Sequence, residues 1–180
     1  MSDVVDHSVP HSGDEPCPVC GYLATGDLAA TADRARRFPG TLAELLDSAD
    51  SATVRHRIEP RLWSPLEYGA HVGEAVDAYL DRVDDVLLHD RPRLVPVDWI
   101  RAAEVGEYRR RSVQQVLGDV RRACRRLSDL AASLTPEELR RQGIGSDDRP
   151  RSVELLITRA DHELAHHELD LRRVLTRSSA

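Results

Sequence analysis

A carboxylate and an imidazole, Glu163 and His167, stand four residues apart in the run His162-Glu163-Leu164-Ala165-His166-His167-Glu168-Leu169-Asp170-Leu171. If the run is helical, they lie one turn apart on one face. A carboxylate on an apolar face costs on the order of several kcal/mol unless it is partnered. The residue therefore asks for a cation, a hydrogen-bond network or water, and a divalent metal ion serves as all three. Imidazole and carboxylate are both ligands that such an ion takes. The same run also holds His162 and His166. Read literally, His162-Glu163-x2-His166 is the H-E-x-x-H of zinc metallopeptidases. Those enzymes take a third ligand well downstream, and only fourteen residues follow His166. A five-residue match in a His-rich helix is weak evidence, and the peptidase reading is set aside.

Helical periodicity discriminates among the histidines. At about 100° per residue, Val153, Leu156, Ile157, Ala160, Leu164, Leu171, Val174 and Leu175 collect on one arc. His167 falls within that arc and Glu163 at its edge, whereas His162 and His166 project from nearly the opposite side, beside Arg173. A third ligand must come from another helix. His71 is available at the margin of an earlier apolar arc, and its neighbours Ala70 and Gly73 are small enough to leave room for an ion or a substrate. The pattern alone leaves two accounts open: a metal site, or boundary histidines satisfied by ordinary hydrogen bonds with Glu163 paired to an arginine.

The second chemically suggestive segment is Cys17-Pro18-Val19-Cys20-Gly21, with His7 and His11 four residues apart upstream. Three cysteines are too few for a disulfide framework, so a C-x2-C pair in a reducing compartment points to metal or redox chemistry. The pair could complete a Cys2His2 zinc site with His7 and His11, act as a dithiol that resolves mixed disulfides, or lend a thiolate to the first ion by folding over the bundle mouth. It could also have no such role. Cys124 lies in a helical stretch and reads as a packed residue.

The elements that must position these groups are helical. The chain has 180 residues, 41% of them hydrophobic, enough for one domain with an unstapled core. Residues 1–26 lack apolar periodicity and read as an irregular arm; residues 27–180 form the regular domain. A first helix is expected over 28–49, kinked or split at Pro39-Gly40. Ser64-Pro65 is a strong helix start, and Leu66, Val72, Val76, Leu80, Val83 and Leu87 carry a second helix to about residue 88. Pro92 and Pro96 interrupt, and a third helix runs over roughly 109–133. Thr135-Pro136-Glu137-Glu138 forms a capped turn, and the last helix spans about 152–175. No strand pattern stands out. The expected class is all-α, an antiparallel four-helix bundle with an irregular N-terminal arm.

Charge narrows the partners. Net charge is −6, and the arginines are dispersed rather than blocked, so nucleic acid is not an expected partner. With no signal-like N-terminus and no span of about 20 apolar residues, no membrane association is expected and a cytoplasmic location is. An exposed apolar flank would allow a homodimer.

The segment Trp63-Ser64-Pro65-Leu66-Glu67-Tyr68-Gly69-Ala70-His71 resembles the W-x7-H stretch that opens the second helix in the DinB-like superfamily. It is most similar to that of the metal-binding N-terminal domain of mycothiol-dependent maleylpyruvate isomerases. Glu163-x3-His167-x2-Asp170-Leu171 is similar to that family's E-x3-H-x2-D-L stretch, and the resemblance covers roughly residues 28–176. It implies a four-helix bundle with a divalent ion held by His71, Glu163 and His167. Branches with three histidine ligands would instead select His162 and His166 alongside His71. Zn²⁺ is the first expectation, with Ni²⁺, Fe²⁺ or Mn²⁺ compatible with the ligand set; Asp170 either orients the ligands from behind or is a helix-surface charge facing Arg172 or Arg173. The implied activity is thiol S-transfer or thiol-dependent isomerisation, with mycothiol, bacillithiol or a similar thiol attacking a small electrophile. The rival expectation is a non-catalytic metal-containing bundle that binds or senses a ligand. The C-x2-C arm departs from the family pattern.

Overall fold

The computed structural model describes residues 15–178 of the chain. His7 and His11 lie outside the described residues. Four long helices make the body: α1 (Leu28–Asp47), α3 (Pro65–Leu88), α5 (Val113–Ser133) and α7 (Val153–Ser178). Shorter elements sit in the connections: α2 (Ser51–Arg55), α4 (Trp99–Val105), α6 (Pro136–Arg140) and a three-residue 3-10 turn at Tyr108–Arg110. Strands β1 (Gln142–Ile144) and β2 (Pro150–Ser152) pair antiparallel. This small hairpin was not expected; three-residue strands are too short to show a period of two.

Caps explain where the helices begin. Ser64 accepts from the Glu67 N–H while the Glu67 side chain accepts from the Ser64 N–H, and Ser112 with Gln115 and Thr135 with Glu138 repeat the device. Each reciprocal cap satisfies two otherwise orphaned donors, worth about 1 kcal/mol. The Ser112 cap sets the start of α5 at residue 113, a few residues later than the apolar spacing suggests. Glu67 does further work: it accepts from Arg57 Nε at 2.7 Å while almost fully buried. Arg57 holds its carboxyl below the ordinary value against the opposing push of burial.

Helix α1 is not split at Pro39. It runs unbroken through the proline, and Ala35, Phe38, Leu42 and Leu46 all bury on one side. Losing one backbone donor at Pro39 is outweighed by that continuous apolar face, and Gly40 adds no crowding because a side chain there would meet open space.

Helix α1 packs on α5 and α7, and α3 packs on the same two helices from the other side. The expected antiparallel arrangement holds within two pairs. Arg36 in the middle of α1 meets Ser128 in the second half of α5, whereas Leu42 further along α1 shares Gly69 with Val116 at the start of α5. His71 near the start of α3 meets Glu163 in α7 while Tyr79 lies toward Arg159. Helices α3 and α5 run in the same sense. Gly69 and Gly73 face Val116 and Val120, whereas Arg126 further along α5 reaches Asp81 at 2.8 Å and Asp84 at 2.6 Å. The apolar arc expected of the last helix is the buried face of α7 in every one of its eight positions. No helix among the described residues is long and apolar enough to cross a membrane.

Candidate metal centre

His71 reaches the bundle interior from the second turn of α3, Glu163 and His167 from the middle of α7, and all three side chains are almost completely buried. Glu163 Oε2 lies 3.1 Å from His167 Nε2 and 3.6 Å from His71 Nε2. One donor atom from each residue falls within 4.8 Å of the other two. A tetrahedral ion with bonds of about 2.0–2.1 Å has ligand-to-ligand edges of about 3.3 Å, and the two contacts to the carboxylate bracket that figure.

The hydrogen-bond inventory points the same way. Both ring nitrogens of His71, Oε2 of Glu163 and Nε2 of His167 are buried without a hydrogen bond. Buried polar atoms in native proteins are almost always satisfied, so His71 Nε2, Glu163 Oε2 and His167 Nε2, which converge and can each offer a lone pair, fit a cation as their shared partner. The other nitrogen of His167, Nδ1, lies 2.9 Å from Asp170 Oδ2. A carboxylate behind a ligating imidazole fixes its tautomer and raises its basicity. Asp170 is therefore no solvated surface charge; it is about 8% exposed and faces the ring, with Arg173 only at 4.0 Å.

Without a cation the electrostatics are those of a coupled buried pair. Burial opposes the charged form of Glu163, yet the His167 and His71 rings beside it hold its pKa far below the ordinary carboxylate value. Burial likewise opposes charge on His167, and Asp170 and Glu163 overcome it, raising the pKa to about 9. His71 is shifted down, chiefly by burial, and stands neutral as a ligand must.

Aromatic rings wall the cluster. Trp63 lies 4.7 Å from the His71 ring, Trp99 of α4 meets it edge-on at 5.0 Å, and Tyr68 lies 5.6 Å from His167. Trp99 and Tyr79, which also feels the Glu163 charge, border a cavity of about 300 Å³ that is lined in addition by Arg82, Arg151 and Arg159. The Arg159 Nε is buried and makes no hydrogen bond. Gly73 does not provide the room beside His71 that its size suggested. A side chain at Gly73 would press on Val120 at 3.3 Å, so its smallness serves the close approach of α3 to α5.

His162 and His166 do not join His71. They are buried at 4% and 6% exposure rather than solvated, because the N-terminal arm covers the face of α7 that the bundle leaves open. There they meet the arm's cysteines: Cys20 Sγ lies 3.3 Å from His162 Nε2, and Cys17 Sγ lies 3.6 Å from His166 Nδ1. The arm's thiols thus approach α7 from outside the bundle and not over the His71 cluster. Cys124 is buried in the core of α5, as expected.

Comparison with known proteins places this geometry. The family model of the DinB superfamily matches residues 34–170. A solved structure with the same fold is YfiT from Bacillus subtilis, described as a probable metal-dependent hydrolase with an unusual four-helix bundle topology. It superposes with a TM-score of 0.78 at 14% identity, covering 92% of this chain and 94% of that one. No curated protein matches the sequence.

Proposed function

The chain belongs to the DinB superfamily, and from that premise we propose that it is a metal-dependent enzyme whose ion is held by His71, Glu163 and His167. The observation that carries the reading is the convergence of three buried, unpartnered donor atoms on one point. Two imidazoles and one carboxylate leave a divalent ion with an open position, as in catalytic rather than structural sites. An ion so held supplies Lewis acidity that lowers the pKa of a nucleophile at neutral pH.

The protein's own residues do the rest. Asp170 keeps the proton of His167 on Nδ1 and so presents Nε2 as a ligand. Trp63 and Trp99 exclude water from the His71 side, which strengthens every charge interaction within. Arg159, with Arg82 across the same cavity, offers donors to an anionic group of the substrate. The nucleophile we assign is a low-molecular-weight thiol of the mycothiol type and the electrophile a small anion, so the reaction is thiol S-transfer or thiol-assisted isomerisation, as in the maleylpyruvate isomerase branch. Zn²⁺ is the ion this donor set suits first.

A second reading, hydrolysis with water as nucleophile, draws on the likeness to YfiT. Co²⁺-loaded protein separates the two. The difference spectrum between wild type and Glu163→Gln isolates this ion, and it should change on titration with mycothiol or a model alkyl thiol. A spectrum indifferent to thiols, together with metal-dependent turnover of esters or amides, assigns water instead. Indifference to thiols with no turnover of either kind would leave a binding protein and overturn the enzymatic reading.

A further inference from the structure

Two cysteines and two histidines outside the His71 cluster also converge. Sγ of Cys17, Sγ of Cys20, a ring nitrogen of His162 and one of His166 all lie within 4.8 Å of one another. Edges of 3.3 Å and 3.6 Å between sulfur and nitrogen match a tetrahedron built on bonds of about 2.3 Å to sulfur and 2.0–2.1 Å to nitrogen. Neither cysteine is in a disulfide.

The arm is folded as a ligand loop. The Cys17 N–H donates to the Tyr22 carbonyl at 2.7 Å and the Gly21 N–H to the Cys17 carbonyl at 2.8 Å, closing a tight turn. Gly21 has φ +72°, a left-handed conformation that glycine adopts without strain. Without an ion, burial pushes the Cys20 thiol up to about 11 and outweighs the opposing hydrogen bond from the Tyr22 backbone. Tyr22 then stacks on the His162 ring at 4.7 Å, and its hydroxyl donates to Asp161 Oδ2 at 2.9 Å. On the far side, His166 Nδ1 faces the Cys17 sulfur and its Nε2 lies 3.6 Å from Asp170 Oδ2, near enough for charge attraction but beyond a hydrogen bond.

We propose that Cys17, Cys20, His162 and His166 form a second, structural Zn²⁺ site that fastens the N-terminal arm to α7. Four protein ligands close the coordination sphere, so this site holds its ion without an open position for substrate. The i, i+4 spacing of the histidines and the C-x2-C spacing of the cysteines are the two halves of a Cys2His2 centre, brought together from segments about 140 residues apart. The site stands independently of whether the His71 cluster holds an ion.

Metal analysis and Co²⁺ spectroscopy of the full chain test it. Purified protein should carry about one equivalent of zinc that Cys17→Ser/Cys20→Ser lacks and Glu163→Gln retains. The Co²⁺ form should show intense near-ultraviolet thiolate charge transfer, abolished by Cys17→Ser/Cys20→Ser and kept in Glu163→Gln. Should the cysteine variants fail to fold, alkylation of the wild type read by mass spectrometry decides. Cys17 and Cys20 should be protected with zinc bound and modified after chelation, with Cys124 buried in both states as internal reference. Absence of charge transfer, equal alkylation with and without chelator, or a Cys17–Cys20 disulfide in metal-saturated protein would overturn the proposal.

Discussion

The Asp170 carboxylate sits 2.9 Å from Nδ1 of His167, which turns Nε2 of the same ring toward Glu163. One hydrogen bond therefore fixes both the tautomer and the aim of a candidate ligand. Asp170→Asn should weaken metal binding by about 10- to 100-fold while leaving the helical content unchanged. Competition against a calibrated chelator measures it; unaltered affinity would reduce Asp170 to a packing residue.

The titration of His167 makes the metal-free protein sensitive to alkali. Its folded pKa of about 9 exceeds the ordinary value of 6.5, so its contribution to stability is complete below 6.5 and is lost as pH rises through about 9. Metal affinity moves oppositely, since the ion must displace that proton, and should climb with pH across the same window. Thermal denaturation of chelated protein at either end of the window, alongside metal titrations, checks both signs. His167→Gln should flatten both dependences.

Arg159 carries a buried donor without an acceptor beside the cavity. If that donor receives an anionic substrate group, Arg159→Met should raise KM about ten- to a hundredfold, the worth of one charge-assisted hydrogen bond, with a smaller effect on kcat. The comparison to run is between charged and esterified forms of the same electrophile. An equal loss for both would show that the arginine acts only through packing.

Gly73 tests the link between packing and site. A valine there would drive its Cβ and methyls into Val120, whose backbone nitrogen already lies 3.4 Å from the position of a Cβ. The expected cost is about 1–3 kcal/mol of stability, together with weaker metal binding, because His71 stands two residues away on the same helix. Urea denaturation and metal titration of Gly73→Val report the two effects separately.

The bundle and the His71 cluster were legible because periodicity and burial agree there. The eight apolar positions of α7 point inward, and they carry Glu163 and His167 with them. The same rule set His162 and His166 on the opposite face, where they are, and said nothing of what covers them. A helical wheel knows only the faces that one helix presents to others, and these two residues are covered by the irregular arm. The signal that could have found them was chemical: a C-x2-C loop lacks two ligands, and an H-x3-H pair on a helix supplies two. The hairpin, α2 and α4 escaped because each is only three to seven residues long, too short to display a period. The split allowed at Pro39 does not occur, since a rule about one lost hydrogen bond carries no information about the apolar face holding α1 together.

Helices α3 and α5 are neighbours that point the same way, and the chain leaving α3 at one end must travel back along its whole length before α5 can begin. That length is about 36 Å at 1.5 Å per residue for the 24 residues of α3. Residues 89–112 make the return journey as an obligatory strap, and the strap carries Trp99 onto His71 and Leu94 and Val95 into the cavity wall. The cavity wall is thus divided between the long helices, which give Tyr79, Arg82, Leu156 and Arg159, and a tether that gives Leu94, Val95 and Trp99. Rewriting the tether would retailor what the cavity admits while the long helices keep their grip.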